Sequence, residues 1–192
     1  KRLRASAMLD IKGNKIIIDA GPDFRYQMLR SQVKDLRAIL LTHGHKDHIG
    51  GLDDVRAFNW VKQGAVDVYG NEGTREVVYK DFSYAFAAFR YPGVPEINYH
   101  VIDDRPFYID DIQVVPIPVL HYKMPVLGFR IGNFAYITDA KTIPASSMER
   151  LKGVEYLVIN ALRKELHMSH FNLEEALTMI ARIQPKSAFL TH

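Results

Sequence analysis

The apolar residues of this chain follow two spacings, one typical of strands and one typical of helices. Residues 5–20 predict a β-hairpin in which Gly13 and Asn14 supply the turn and the second strand is buried. A short helix from Pro22 and a second buried run, residues 37–43, come next. Apolar residues then recur at helical spacing over residues 51–61. This part of the chain therefore predicts a strand, a polar turn and a helix in that order.

The middle of the chain is rich in aromatic residues. Residues 65–70 alternate like a strand, and residues 74–89 predict a helix with Thr74 as its N-cap. Residues 91–100 contain two prolines and predict a loop. We expect Trp60 and the aromatic residues of the 74–89 segment to belong to the core or to a lid rather than to a base-stacking platform.

The C-terminal half predicts strands first and one well-defined helix later. Residues 107–120 alternate through a turn at positions 110 and 111, and prolines at 116 and 118 imply an edge or irregular strand. A hairpin over residues 126–140 precedes a short helix that ends near Gly153 and a buried strand at 155–160. The last helix is capped by Asn172 with Glu175 completing a capping box, and residues 187–192 form the final strand. Its apolar face is predicted to hold Leu173, Ala176, Leu177 and Ile180.

Several predicted strands end in a residue that can bind a metal. His43 follows "ILLT", Asp139 follows "AYIT" and His192 follows "AFLT", while His121 and Asp19 end two further strands. In sheets that lie between helices, the groups at strand ends project into one crevice, where residues distant in sequence can meet. We therefore expect these side chains to gather at one site.

The segment "LLTHGHKDHIGG", residues 40–51, holds three histidines and an aspartate within six positions. His43 and His45 alternate, so an extended turn can direct both at one cation. Asp47 and His48 come from the helix start and can face a second cation. A single metal would leave crowded and partly desolvated donors, which is costly for a carboxylate. The segment therefore predicts two metal ions.

The composition narrows the chemistry of this site. The chain has 192 residues and no cysteine, so it predicts one domain, and any metal must bind imidazole and carboxylate groups. The net charge of +3 would help to bind an anionic substrate but falls short of a nucleic-acid-binding footprint. The longest apolar runs are strand-sized, and no signal-peptide core follows the N-terminal basic residues. These features predict a soluble cytoplasmic protein without a membrane partner.

The pattern His-x-His-x-Asp-His, at residues 43–48, resembles the signature of the metallo-β-lactamase superfamily. The segment "IIIDAGPDF" resembles a second hallmark of that family, and the match runs from about residue 5 to the C-terminus. The resemblance implies an α/β fold, a four-layer αββα sandwich, with Asp19 supporting the site rather than binding metal. It also implies a hydrolase in which two divalent ions, with zinc favoured and manganese as the alternative, activate one water molecule. The implied ligands are His43, His45 and His121 for the first metal, Asp47, His48 and His192 for the second, and Asp139 as the bridge.

The C-terminal segment resembles the phosphodiesterase branch of the superfamily. His170 and His192 lie 22 positions apart, as the corresponding histidines do in that branch. The branch contains the phosphoribosyl 1,2-cyclic phosphate phosphodiesterases and the tRNA 3′-processing endonucleases. By this resemblance His170 and Asp47 are catalytic, with His170 assisting at the phosphate, and the substrate is a small cyclic phosphodiester. Nucleic acid is the less favoured substrate, because no Gly/Pro-rich arm like that of the endonucleases is present.

Family members usually have a glycine- and threonine-rich first strand, often with a cysteine cluster for a structural zinc, and they continue beyond the last histidine. The chain has neither feature, so we expect one metallo-β-lactamase-like domain over residues 1–192 that lacks the first strand and the C-terminal end. Either the chain is a fragment of a longer protein, or these parts are missing from it.

Other interpretations stay open at this point. A thioesterase or lactamase would use the same metals on a carbonyl carbon, and a non-enzymatic scaffold would retain the fold alone. His170 could be a capping or surface residue, His167 could support the site or face solvent, and His100 is expected at the surface. The sequence does not decide whether the protein forms a homodimer.

Overall fold

The computed structural model describes residues 2–89 and 91–192, which divide into two compact units. The first unit ends at Asp103 and the second begins at Asp104. Each unit has one β-sheet and its own apolar core. This division does not test the predicted single domain over residues 1–192, which stays a prediction.

The first unit contains a five-stranded sheet in the order β1-β2-β3-β4-β5. The first two strands pair antiparallel, and all the other neighbours in this sheet are parallel. The strands are β1 (Ala7–Ile11), β2 (Asn14–Ile18), β3 (Ala38–Leu40), β4 (Val66–Gly70) and β5 (Ile97–Val101). The helices are α1 (Phe24–Arg30), α2 (Lys46–Ile49), α3 (Arg56–Lys62), α4 (Glu72–Asp81) and α5 (Ser83–Phe86), with a 3₁₀ turn at Leu52–Val55.

The predicted N-terminal hairpin is confirmed with a small shift in its turn. Lys12 and Gly13 occupy the turn with φ of 53° and 88°, and Asn14 is already the first residue of β2. Two consecutive positive φ values are typical of the two-residue turns that connect the strands of a β-hairpin. The apolar residues Ile16, Ile17 and Ile18 are fully buried, as expected for a strand that is paired on both sides.

Two predictions for the middle of the chain are wrong. Asn71, not Thr74, caps α4, because the Asn71 side chain accepts a hydrogen bond from the Thr74 backbone N–H at 2.8 Å. The predicted loop contains strand β5, which pairs parallel with β4. The two prolines before this strand favoured a loop. His100, expected at the surface, is only partly exposed and makes a 2.8 Å contact with Asp67 on the neighbouring strand.

The second unit contains a six-stranded sheet in the order β11-β10-β9-β8-β7-β6. The pairs β9/β10 and β10/β11 are parallel, and the others are antiparallel. The strands are β6 (Phe107–Ile109), β7 (Ile112–His121), β8 (Met124–Ile131), β9 (Phe134–Ile137), β10 (Tyr156–Asn160) and β11 (Ser187–Thr191). The helices are α6 (Ala145–Arg150) and α7 (Leu173–Ile183).

The predicted elements of the second unit are mostly confirmed. The prolines at 116 and 118 lie in the part of β7 that pairs with β8 but extends beyond its pairing with β6, and their carbonyl oxygens accept hydrogen bonds from Arg150 and Ser147. The capping box of α7 is present, with Asn172 and Glu175 each bonded to the backbone of the other. The prediction that Leu177 lies on the apolar face of α7 is wrong, because Leu177 is 53% exposed, whereas Ala176 is fully buried.

Within the described part of the chain, no helix combines the length and the apolar character that a membrane span requires.

Candidate metal centre

The histidine-rich segment lies where β3 ends and α2 begins. His43 and His48 are almost completely buried, Asp47 is partly exposed, and His45 is exposed. His43 Nε2 and His45 Nδ1 are 3.0 Å apart, and His48 Nε2 lies 3.6 Å from an Asp47 carboxylate oxygen. The rings of His43 and His48 are 4.2 Å apart between centroids. The first unit thus brings its four predicted site residues together.

Asp19 connects this segment to the end of β2. Its carboxylate is fully buried and accepts hydrogen bonds from the Thr42 backbone N–H at 2.8 Å and from the Thr42 hydroxyl. It also lies 2.7 Å from His48 Nδ1. The Asp19 backbone has a φ of 64°, a left-handed conformation that a short polar side chain tolerates better than most. The supporting role predicted for Asp19 agrees with these contacts.

These hydrogen bonds fix which nitrogen of each buried histidine carries the proton. His48 Nδ1 faces a carboxylate, so it is the donor of this pair. The Thr42 hydroxyl gives its hydrogen to Asp19, so its oxygen accepts from His43 Nδ1 at 3.0 Å. Both rings therefore keep the Nε2 lone pair, which is the one that a metal ion requires.

Two glycines allow the chain to pack this closely. A Cβ atom at Gly21 would lie 2.1 Å from the Asp47 carbonyl oxygen, and one at Gly51 would lie 2.2 Å from the Gly21 carbonyl oxygen. Both obstacles are backbone atoms, which a rotamer change cannot move. The segment after Asp19 and the histidine-rich loop therefore approach each other only because these side chains are absent.

Replacement of Gly21 by alanine is expected to destabilise the protein by about 2–4 kcal/mol, because the Cβ would overlap backbone of the histidine-rich loop. Urea unfolding measures this loss. The control is Gly64→Ala, where an added Cβ meets nothing within 4 Å. Equal stability of the two variants would show that the loop can move away from Gly21 at little cost.

In the second unit, Asp139 lies two residues beyond β9 in a left-handed conformation with a φ of 55°. Its carboxylate is buried and accepts a hydrogen bond from the Thr138 hydroxyl at 2.7 Å. The next residue, Ala140, is held by Asn160 at the end of β10, which accepts from the Ala140 N–H at 2.9 Å and donates to its carbonyl at 3.0 Å. The position of Asp139 is therefore set by the backbone on both sides of it.

Three histidines surround Asp139 in this unit. His170 Nε2 is 3.2 Å from Asp139 Oδ2, and His192 Nδ1 is 3.6 Å from Oδ1. Ligand atoms of Asp139, His170 and His192 all lie within 4.8 Å of one another. His121 Nδ1 faces the backbone carbonyls of Asp139 and Ser169 at 3.0 and 2.9 Å, so it must be the donor and Nε2 keeps its lone pair.

His170 and His167 form a further contact on the loop before α7. Their Nδ1 atoms are 3.1 Å apart, and the Ser169 hydroxyl lies 3.1 Å from the first and 3.3 Å from the second. Desolvation by neighbouring atoms and the nearby His170 lower the pKa of His167 below its usual value. His167 is therefore neutral around pH 7.

The structure thus places the predicted site residues in two sets, one in each unit. The first set is His43, His45, Asp47 and His48, and the second is His121, Asp139, His170 and His192. Thr42 and Asn160, which hold Asp19 and Ala140 in place, were not among the predicted site residues. Asn160 ends a predicted buried strand, and that signal could have identified it.

Comparisons with known proteins cover most or all of the chain. The family described as "Beta-lactamase superfamily domain" matches residues 14–192. A crystal structure described as a new diphosphatase from the PhnP family is 35% identical, with a TM-score of 0.93, covering 100% of this chain and 73% of that one. The ribonuclease Z of Nostoc punctiforme is 30% identical over 121 residues, covering 61% of this chain and 37% of that protein. The predicted fold class, α/β of the metallo-β-lactamase type, and the predicted branch are confirmed.

A further relative has a different name. The octanoyltransferase of Porphyromonas gingivalis is 38% identical over 195 residues, covering 100% of this chain and 39% of that protein. The chain therefore spans about two fifths of the length of these two curated relatives. As a class, a metal-dependent hydrolase domain is confirmed by the family and by the diphosphatase and ribonuclease relatives.

Proposed function

Because the chain belongs to the beta-lactamase superfamily, whose domain matches residues 14–192, we propose that it hydrolyses a small cyclic phosphodiester with the help of two divalent metal ions. The observation that carries this proposal is the position of His170. Its Nε2 lies 3.2 Å from the buried carboxylate of Asp139, where a proton donor could reach a phosphate ester held by the metals.

The donors present fit such metal ions. We propose as ligands the seven residues implied by the sequence resemblance: His43, His45, Asp47, His48, His121, Asp139 and His192. Three of these histidines direct a protonated Nδ1 at an oxygen atom of the protein and keep the Nε2 lone pair for a cation. They are His43, His48 and His121. Histidine and carboxylate without thiolate suit zinc, with manganese as the alternative.

When bound, the two ions supply positive charge and lower the pKa of a water molecule, which makes it a nucleophile near neutral pH. The chain contributes the rest of the chemistry. Asp19 holds His48 and, through Thr42, His43, so these rings do not have to reorient when substrate arrives. Asp47 is proposed to orient the attacking water as well as to bind metal.

His170 is proposed to protonate the leaving oxygen. The attacking water gives up one proton to solvent, its oxygen forms a bond to phosphorus as the ester P–O bond breaks, and the leaving alkoxide takes the proton from His170 Nε2. A cyclic phosphodiester is thereby opened to a phosphomonoester with a free hydroxyl. An alkoxide is a poor leaving group, so this proton is worth about 10²–10⁴-fold in rate.

The relatives support a phosphate ester more than a carbonyl substrate. Both the diphosphatase and the ribonuclease Z act, by their names, at phosphorus. The octanoyltransferase extends far beyond the segment aligned with this chain, so acyl transfer is not proposed from that name. RNA 3′-end cleavage is the second candidate, because ribonuclease Z shares the fold and 30% identity with part of the chain.

Replacement of His170 by alanine tests the proposal. The purified protein is loaded with zinc or manganese and screened against five-membered cyclic phosphates, bis-p-nitrophenyl phosphate, a thioester, nitrocefin and a precursor tRNA. We expect the cyclic phosphate to be hydrolysed, and His170→Ala to lower kcat by about 10²–10⁴-fold. The loss should be smaller for bis-p-nitrophenyl phosphate, whose leaving group needs no proton.

The matched control is His100→Gln, a partly exposed histidine of β5 that contacts Asp67. Metal content is measured for each variant, so that a loss of ions is not mistaken for a loss of the proton donor. Turnover of the thioester or nitrocefin in preference to every phosphodiester would overturn the proposed function. So would full activity of His170→Ala on the cyclic phosphate.

A further inference from the structure

We propose that His167 is a positioning residue for His170: its Nδ1 accepts the hydrogen bond of His170 Nδ1–H and so fixes the orientation of that ring, with its Nε2–H directed at Asp139. This inference rests on the proposed function, in which His170 Nε2 delivers the proton. The evidence is a set of contacts among residues 167–170, all within the second unit.

The position of the proton on His167 follows from its contact with Ser169. The backbone N–H of Ser169 can only donate, and it is directed at His167 Nδ1 at 3.3 Å. His167 Nδ1 must therefore present its lone pair, and a neutral His167 carries its proton on Nε2. The lowered pKa of His167 agrees with this neutral form, since desolvation and the nearby His170 both disfavour the charged ring.

The position of a proton on His170 follows from its contact with His167. Its Nδ1 lies 3.1 Å from His167 Nδ1, and two lone pairs at that distance would repel each other. Because His167 is the acceptor, His170 Nδ1 carries a hydrogen and donates it. The Ser169 hydroxyl, 3.1 Å from His170 Nδ1, provides a second polar partner for the same atom.

The direction of His170 Nε2 follows from the shape of the imidazole ring. With Nδ1–H held by His167, Nε2 on the other side of the ring lies 3.2 Å from the Asp139 carboxylate, which can only accept, so Nε2 carries the proton that His170 delivers. The His192 ring stacks on His170 at 4.9 Å between centroids and 10° between planes, which restricts tilting. A 180° flip of the ring about the Cβ–Cγ bond would preserve this stacking, and the hydrogen bond to His167 selects the flip in which Nε2 faces Asp139.

The loop itself is arranged for this contact. His167 is half-buried, whereas its neighbours Leu166 and Met168 are 73% and 69% exposed. The chain therefore turns the polar ring inward and leaves two large apolar side chains outside. A surface histidine with no role would not require this arrangement, because burial favours the apolar neighbours.

The tautomers give a direct test that does not depend on turnover. Two-bond ¹H–¹⁵N spectra of the ¹⁵N-labelled, metal-loaded protein at pH 7.5 distinguish protonated from unprotonated ring nitrogens. We expect a neutral His167 with the proton on Nε2 and a His170 with a proton on Nδ1. A His167 protonated on Nδ1 would overturn the inference whatever the enzyme does.

A double-mutant cycle tests the coupling. His167→Phe keeps the ring volume but removes the acceptor, and it should lower kcat for the cyclic phosphate by about 10–100-fold with KM little changed. On the His170→Ala background the same change should have no further effect. Additive losses would show that His167 acts independently of His170 and would contradict the proposal.

Two conservative variants separate positioning from packing. His167→Asn places a carbonyl oxygen near the Nδ1 position and should restore most of kcat, whereas His167→Gln reaches toward the Nε2 position and should not. Equal activity of the two would contradict the assigned acceptor. If His170→Ala is fully active while the tautomers are as expected, the proposed function fails but the hydrogen bond between the histidines stands.

Discussion

Replacement of Asp139 by alanine is expected to abolish metal binding at the centre and to lower kcat/KM by about 10³-fold or more, or about 4 kcal/mol. Asp139 is proposed to bridge the two ions, and its carboxylate is 98% buried, with a side-chain oxygen within 3.6 Å of His170 and His192. Two neighbouring cations repel each other strongly in a partly desolvated site. The negative charge of Asp139 reduces this repulsion, so its loss should weaken the binding of both ions.

The measurement is metal content by mass spectrometry after desalting, together with phosphodiester turnover. Asp139→Asn keeps the shape and tolerates the left-handed backbone, so it separates loss of charge from loss of packing. Asp110→Ala is the backbone control, because exposed Asp110 has a similar φ of 53° in the turn before β7. A fully loaded Asp139→Ala protein would rule out the bridging role.

The residues at strand ends could be predicted because two local signals coincide there. A buried apolar run identifies the strand, and a carboxylate that follows it needs polar partners at the end of the strand, as at Asp19 and Asp139. What the sequence did not show is the left-handed backbone at both positions. That conformation depends on contacts made elsewhere in the fold, such as those of Thr42 and Asn160.

The missed strand β5 illustrates a different limit. Its residues alternate between apolar and polar, but the two prolines before them favoured a loop, and the strand is stabilised by pairing with β4. Burial alone would raise the pKa of Asp67. Hydrogen bonds from His100, Arg37 and Asn98 outweigh this effect and lower the pKa to about 2. Such a network joins positions 30 or more residues apart, so no local pattern predicts it.

The supporting residues of the site were the hardest to predict. His167 appears in the sequence only as one more polar residue of a loop, and its inward position depends on the path of residues 166–170. Ligand residues are recognisable because their type is demanded by the metal. The groups that orient them can be hydroxyls, amides or backbone carbonyls, so their type carries little information.

Variants of Asp19 distinguish an effect on folding stability from an effect on metal binding. Asp19→Ala is expected to lower the free energy of unfolding by about 3–5 kcal/mol, because it leaves the Thr42 N–H, the Thr42 hydroxyl and His48 Nδ1–H buried without their acceptor. Alanine also tolerates the left-handed backbone poorly. Urea unfolding of the metal-free protein measures the loss.

Asp19→Asn should behave differently. Its Oδ1 can still accept from Thr42, so the amide group faces His48 Nδ1 and the two donors conflict. The conflict is relieved when the His48 proton moves to Nε2, which removes the lone pair proposed to bind metal. We therefore expect a protein more stable than Asp19→Ala but with metal affinity reduced by about 10–100-fold, measured by competition with a chelator. Native affinity in the asparagine variant would mean that the carboxylate does not set the tautomer of His48.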